Sequence, residues 1–278
     1  MEIWQAILLA IVEGITEYLP VSSTGHLIIT NALLGIDATT FTKLFTINIQ
    51  FGAILSVLVL YWRRFLQSWH FYGKLLIAFI PAAVVGLLAG NLIDAALEHV
   101  WVIATALVVG GIVLILCDKW FAPQNKEISN NELAQNNIAQ QDANLYPQIS
   151  YKQALFIGLF QCIALIPGIS RSAATIVGGL AQRLSREQAA EFSFFLAVPT
   201  LSAASGYKLL KDYDLITSND LYLLAIGNVA SFIVGVIAIQ FLIKVLKQSG
   251  FKWFGWYRII LGLLLLGLLI AKIPLQII

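Results

Sequence analysis

The sequence predicts an all-α integral membrane protein with an inverted-topology repeat, in which each half is a re-entrant helical hairpin plus three transmembrane helices. Three observations favour this architecture. The 278-residue chain is 59% hydrophobic and only 12% charged, whereas soluble domains carry about 25% charged residues. Six apolar stretches are long enough to cross a bilayer, and two more are interrupted by polar residues. The two halves also resemble each other.

The six long apolar stretches predict membrane-spanning helices, because about 20 mostly apolar residues are needed to cross the hydrocarbon core. Their predicted bounds are residues 41–62, 72–91, 100–117, 187–207, 221–243 and 257–277. Between the halves, residues 118–150 are rich in Asn, Gln and Ala, which is typical of a polar surface linker. The first repeat is therefore assigned to residues 1–117 and the second to residues 151–278.

Two further apolar regions, residues 3–34 and 153–182, are interrupted by polar residues around 20–25 and 167–172. Each interruption combines a proline with Ser, Thr or Gly, so that one helix ends and a hydroxyl residue caps the next. The helical segment on either side of each interruption is too short to span the bilayer alone. We therefore expect two re-entrant hairpins, whose turns must be covered by protein or by a watery cavity.

The repeat is predicted from the two interruptions. When Glu13 is aligned with Gln161, Ser22 falls on Ser170. Because each half has three spans, an odd number, the second half must be inverted relative to the first. Paired broken segments of this kind indicate a binding site near the middle of the bilayer.

The positions of Lys and Arg predict the orientation. Most of the 17 residues of these two types, Arg258 among them, lie on or near the side of residues 63–74, and the positive-inside rule assigns that side to the cytoplasm. The first hairpin then enters from outside and the second from the cytoplasm, so that their tips can meet. Aromatic residues near span ends, such as Tyr257, are interpreted as interface anchors.

Two carboxylates mark the first hairpin. Glu13 and Glu17 are four residues apart, so both point to one side of a helix. Ionisable groups inside membrane segments are costly and usually functional. The pair either shares a proton or holds a cation, and such oxygen ligands suit Mg²⁺ or Ca²⁺. The alternative is a shallow hairpin in which both side chains are solvated.

Hydroxyl side chains gather where the second helix of each hairpin begins. A helix N-terminus favours an anionic oxygen, although one hydroxyl is enough for capping alone. His26, about one turn further on, is placed to act on the same point as an acid or base, and a structural role is its alternative. The hydroxyl residues are Ser22, Ser23, Thr24, Ser170, Ser172 and Thr175.

Arg171 lies in the second interruption. An unpaired arginine at membrane depth is costly and requires an anion, and a guanidinium matches phosphate oxygens two at a time. It either clamps a phosphate or forms a salt bridge to Glu13 or Glu17, and both hold if it rests on a glutamate before substrate binds. The whole set suits phosphoryl transfer, and its depth in the bilayer favours a lipid phosphate.

The two interruptions resemble the signature motifs of the undecaprenyl-diphosphatase family, the bacitracin-resistance phosphatases of bacteria. Residues 13–26 read EGITEYLPVSSTGH and residues 167–175 read PGISRSAAT, and the resemblance covers nearly the whole chain. The family usually has glycine in place of Ala173. The resemblance implies hydrolysis of undecaprenyl diphosphate to undecaprenyl phosphate and inorganic phosphate, which recycles the lipid carrier for cell-wall synthesis.

The resemblance also implies residue roles. Glu13 and Glu17 match acids that handle a metal or the pyrophosphate, His26 a catalytic base or acid, and Arg171 the phosphate clamp. The hydroxyl residues match the cradle around the phosphate. A divalent cation, Mg²⁺ or Ca²⁺, is implied, as is a site that faces the outside of the bacterial cytoplasmic membrane.

The nucleophile is left open between Ser23 activated by His26, which we favour, and a water activated by His26 or a glutamate. A lipid-phosphate transporter is the main alternative function, because broken helices in inverted repeats are typical of transporters. A structural membrane subunit would leave the two polar interruptions unexplained. The expected partners are a polyprenyl diphosphate and membrane lipid. Nucleic acid is not expected, and a homodimer is left open.

Overall fold

The structure is a computed structural model that describes residues 1–66, 68–121, 149–212, 214 and 216–272. These residues form eleven α-helices and no β-strand, so the all-α prediction is confirmed. In chain order the helices are α1 (Ile3–Thr16), α2 (Ser23–Leu34), α3 (Thr40–Leu60), α4 (Trp62–Phe65), α5 (Trp69–Leu97), α6 (Val100–Trp120), α7 (Tyr151–Ile163), α8 (Arg171–Ala181), α9 (Arg186–Lys211), α10 (Ser218–Ser249) and α11 (Lys252–Ile270). Most of the predicted linker lies outside the described residues, and its residues 118–120 belong to α6.

Five of the described helices, α3, α5, α6, α10 and α11, are long and apolar enough to cross a membrane. Their apolar segments have 19 to 30 residues, which at a rise of 1.5 Å per residue is about 28–45 Å. They coincide with five of the six predicted spans, and the chain is a multi-pass membrane protein. The sixth, residues 187–207, is helical within the 26-residue helix α9. Charged residues at both ends of α9 make it more polar than the other five.

Each polar interruption separates two short helices, as predicted. α1 and α2, with 14 and 12 residues, are joined by residues 17–22, here named the first break. α7 and α8, with 13 and 11 residues, are joined by residues 164–170, here named the second break. None of the four exceeds about 21 Å, so none crosses a core of about 30 Å alone.

Both hairpins pack on long helices from the opposite half of the chain. α1 lies along α10, and α7 lies along α5, while α6 and α11 pack closely on each other. In this arrangement each hairpin turn is covered by protein, as membrane depth requires. An inverted repeat would account for this reciprocal packing. The repeat itself stays a prediction, as does the division into residues 1–117 and 151–278.

Arg258, which the charge pattern assigns to the cytoplasmic side, has a side chain that is fully buried in the helical bundle. It contacts the backbone of both breaks, including the carbonyl oxygens of Pro20 and Gly168. The reason is tertiary: the close packing of α11 on α6 turns the guanidinium inward.

Candidate active site

The first break meets the start of α8 inside the helical bundle. Ser172 Oγ donates a hydrogen bond of 2.9 Å to the carbonyl oxygen of Leu19. Arg171 Nη2 donates one of 2.8 Å to Glu17 Oε1 and forms a salt bridge with it. Residues 154 positions apart are therefore in direct contact, and the expected meeting of the hairpin tips is confirmed.

The carboxylate of Glu17 is the centre of this contact. Its second oxygen, Oε2, accepts a hydrogen bond of 3.0 Å from Ser23 Oγ. The other terminal nitrogen of the Arg171 guanidinium, Nη1, donates to the carbonyl oxygen and the hydroxyl of Ser193 in α9, at 2.8 and 3.2 Å. Of the two roles considered for Arg171, the salt bridge to Glu17 is present. This contact is compatible with the other role, in which Arg171 binds a phosphate once substrate arrives.

The carboxyl group of Glu13 has a different environment. It is fully buried, and neither of its oxygens has a hydrogen-bond donor. Its electrostatic neighbours include the Glu17 carboxylate and Arg171. An ionised carboxylate without a partner is strongly disfavoured at such a depth, so Glu13 must carry a proton or face a cation. Since Glu17 is only 6% exposed, the alternative of two solvated carboxylates is wrong.

The predicted hydroxyls of the second hairpin, at the end of the second break and in the first turns of α8, form two hydrogen-bonded pairs. Ser170 caps α8, since its Oγ accepts a hydrogen bond of 3.2 Å from the Ala173 amide, and Ser170 Oγ lies 2.8 Å from Ser172 Oγ. Thr175 Oγ1 donates to Ser193 Oγ at 2.7 Å. All three predicted hydroxyls of this hairpin are buried, and they stiffen the segment that carries Arg171.

The predicted hydroxyls of the first hairpin, at Ser22 and in the first turn of α2, make fewer hydrogen bonds. Ser22 is the N-cap of α2, yet its side chain makes no capping hydrogen bond, and its backbone has a φ of +72°, in a region that L-residues rarely adopt. Ser23 and Thr24 lie half-buried on the first turn of α2. The strained backbone at Ser22 thus turns the chain so that Ser23 reaches Glu17.

His26 pairs with a residue that the sequence did not indicate as part of the site. Its Nδ1 lies 2.7 Å from the Ser22 carbonyl oxygen, which can only accept, so Nδ1 carries the hydrogen. Nε2 of the neutral ring then accepts from the hydroxyl of Tyr257, also at 2.7 Å. The two rings stack with 5.5 Å between their centroids. Ser23 contacts Glu17, and not the predicted His26.

A divalent cation would have to be held mainly by carboxylate oxygens. Among the described residues no group of three or more His, Cys, Asp or Glu side chains could hold a metal ion. Glu13 and Glu17 supply two carboxylates, and the oxygens of Glu13 lack donors. Because Mg²⁺ is commonly bound through one or two carboxylates together with substrate phosphates, this donor set fits a cation that arrives with a phosphate ligand.

Known proteins resemble the chain over almost its entire length. Residues 6–264 match the family model described as bacitracin resistance protein BacA. The undecaprenyl-diphosphatase of Bdellovibrio bacteriovorus is 48% identical over 276 residues, 99% of each chain. That of Flavobacterium johnsoniae is 52% identical over 269 residues, 96% of each chain. That of Campylobacter jejuni is 43% identical over 263 residues, 94% of this chain and 92% of the relative.

Proposed function

The chain belongs to the bacitracin resistance protein BacA family, and from this premise we propose that it is an undecaprenyl-diphosphatase. The reaction hydrolyses undecaprenyl diphosphate to undecaprenyl phosphate and inorganic phosphate. It recycles the lipid carrier for cell-wall synthesis and so confers resistance to bacitracin. The observation that carries the proposal is the meeting of Arg171, Glu17 and Ser23 within hydrogen-bonding distance inside the helical bundle.

The test is phosphate release by the purified protein in detergent micelles with undecaprenyl diphosphate as substrate. We expect release of one phosphate per lipid and no release from undecaprenyl phosphate. A lipid-phosphate transporter moves its substrate without cleaving it, so it would release no phosphate in detergent, where there is also no second compartment. Absence of phosphate release by folded protein would overturn the proposal.

The position of the site supports a lipid-borne phosphate entering from one side. We propose a bacterial cytoplasmic membrane and a site that opens to the outside through the first hairpin, on the strength of the Lys and Arg bias. The lipid tail lies among the long helices, and the diphosphate reaches the two breaks. There Arg171 exchanges Glu17 for the terminal phosphate, because a guanidinium binds phosphate oxygens as readily as a carboxylate.

The geometry favours Glu17 over His26 as the group that takes the proton of Ser23, since the two already share a hydrogen bond of 3.0 Å. We propose that Ser23 Oγ bonds to the terminal phosphorus while the bond from that phosphorus to the bridging oxygen breaks. The proton passes through Glu17 to the departing undecaprenyl phosphate. Water then cleaves the phosphoserine: its OH joins the phosphate and its hydrogen returns to Ser23. Water as the first nucleophile is the remaining alternative.

We propose that Glu13 and Glu17 hold the divalent cation, Mg²⁺ or Ca²⁺, which when bound would neutralise charge on the phosphates. Glu13→Gln removes one carboxylate charge, and we expect the cation concentration for half-maximal phosphate release to rise by about tenfold. The measurement is a titration of metal-stripped protein with each cation. Glu187→Gln is the control, because its carboxylate lies on the surface near Lys247. An unchanged cation requirement in Glu13→Gln would contradict the assignment.

The Tyr257 hydroxyl is expected to keep His26 oriented as the base that takes a proton from the water that cleaves the phosphoserine. Tyr257→Phe retains the stacked ring and removes only the hydrogen bond to Nε2. We expect kcat to fall by about tenfold with little change in KM, because general acid–base catalysis depends on a fixed orientation. Tyr222→Phe, at an exposed position of α10, is the control. If kcat is the same in Tyr257→Phe as in the wild type, this pair has no part in catalysis.

A further inference from the structure

Arg258 is a buried cation that the proposed reaction does not use. It is the largest fully buried side chain among the described residues, and it is the seventh of the 19 residues of α11. Within the described part of the chain, none of the salt bridges includes it. A charge at this depth is costly unless its hydrogens are taken up, so its partners should reveal its role.

All hydrogen-bond partners of the Arg258 guanidinium are backbone carbonyl oxygens, and they come from three places. Nη1 donates to Pro20 in the first break at 3.3 Å. Nη2 donates to Gly168 in the second break at 3.1 Å and to Ala106 in α6 at 3.2 Å. Nε donates to Leu107 at 3.4 Å. One side chain thus joins both breaks to the same helix.

These contacts answer a need that the fold creates. Backbone carbonyl groups in a break have lost their helical partners, and inside a membrane no bulk water replaces them. A guanidinium has five N–H groups in a rigid plane, so it can serve carbonyl groups in several directions at once. The ammonium group of lysine acts from one point and cannot reach Pro20 and Gly168 in the same way.

The space for the guanidinium depends on two glycines. A Cβ atom at position 110 of α6 would lie 2.3 Å from Arg258 Nη2, so any larger residue would displace the guanidinium. Gly168 has a φ of +89°, and a Cβ there would lie 2.5 Å from the carbonyl oxygen of Ile103. The second break is therefore pressed against α6 at the point where Arg258 binds it.

We propose that Arg258 is a positioning residue of the active site, which fixes the two breaks relative to each other through the carbonyl groups of Pro20 and Gly168. The inference rests on the proposed function. Pro20 lies three residues before Ser23, and Gly168 lies three residues before Arg171. Arg258 therefore sets the distance between the nucleophile on one hairpin and the phosphate clamp on the other without contacting the substrate.

The kinetic test compares Arg258→Met and Arg258→Lys with the wild type in detergent. Misplacement of reacting groups by about 1 Å can cost 10²-fold, so we expect Arg258→Met to lower kcat by about 100-fold. KM should stay within about threefold, because the lipid tail provides most of the binding. The kcat of Arg258→Lys, which keeps the charge and loses the planar guanidinium, should lie between those of the wild type and Arg258→Met. Thermal unfolding of each variant separates loss of activity from loss of fold.

Arg186→Met is the matched control. Arg186 also ties helices together, since its Nη2 bonds Asp118 at 2.7 Å and Asp118 accepts from the backbone amides of α11, but it touches neither break. We expect lower thermal stability with wild-type kcat. A folded Arg258→Met variant with kcat within threefold of wild type would overturn the proposal. If Arg258→Met does not fold, an unaltered kcat in folded Arg258→Lys would overturn the proposal instead.

A second measurement does not depend on activity. Spin labels are placed at Ile15→Cys, just before the first break, and at Ile166→Cys, inside the second break, both of which are exposed positions. The background is Cys162→Ala, in which the remaining Cys117 is buried. We expect a narrow distribution of inter-label distances for wild-type Arg258 and for Arg186→Met, and a broad one for Arg258→Met or Arg258→Lys. An unchanged distribution would refute the positioning role. If the wild type releases no phosphate but the distance distribution still broadens in the Arg258 variants, the proposed reaction is refuted and the positioning role stands.

Discussion

Replacing Arg171 by lysine is expected to lower kcat/KM for phosphate release by about 10³, although the charge is retained. Arg171 uses two nitrogens in two directions, Nη2 toward Glu17 and Nη1 toward Ser193. When Nη2 turns to the terminal phosphate, Nη1 still anchors the side chain on α9. Lysine has one nitrogen and cannot be anchored and bind phosphate at once. Loss of one preorganised donor to a transition state typically costs 10²–10³.

The measurement is initial-rate kinetics with undecaprenyl diphosphate in detergent. Arg186→Lys is a close control: Arg186, like Arg171, is the first residue of its helix, follows a serine N-cap and pairs with a carboxylate that lies outside its own helix. It should retain wild-type kinetics, because Asp118 lies away from the breaks. Activity of Arg171→Lys within about threefold of wild type would rule out the phosphate clamp.

Features that depend on local sequence could be predicted. The two polar interruptions carry a proline followed by hydroxyl residues, and these end one helix and start the next whatever surrounds them. α2 and α8 accordingly begin at Ser23 and Arg171. The need of Arg171 for an anion was also readable, because an unpaired arginine at this depth is too costly. The choice of Glu17 over Glu13 depends on how the two hairpins dock.

Features that depend on helix packing could not be predicted. Tyr257 and Arg258 follow aromatic and basic residues at the start of an apolar run, a pattern typical of an interface anchor. The contact of α11 with α6 places Tyr257 against His26 and Arg258 against both breaks. Ser23 and His26 are three residues apart on one helix, a spacing that favours a pair. Ser23 instead contacts Glu17 of the same hairpin, and His26 contacts Tyr257 of α11. A charged residue directly before thirteen uncharged, apolar positions is the one available sign that Arg258 is buried.

Replacement of Ser23 by alanine is expected to lower kcat by at least about 10³, because it removes the proposed nucleophile. The hydrogen bond from Ser23 Oγ to Glu17 places an acceptor for its proton at 3.0 Å, as nucleophilic attack requires. With substrate labelled in the terminal phosphate, acid quenching of the wild type should trap label on the protein. Ser23→Ala should trap none.

Thr30→Ala is the control, because it removes a hydroxyl from the same short helix, where Thr30 Oγ1 donates to the His26 carbonyl oxygen. It should retain turnover and trapped label. The two nucleophiles differ in their pattern of results. If water attacks the phosphate and Ser23 is only a donor, Ser23→Ala loses about tenfold and the wild type carries no label. Near-normal turnover in Ser23→Ala would exclude the serine nucleophile and leave a water activated by Glu17 or His26 as the attacking group.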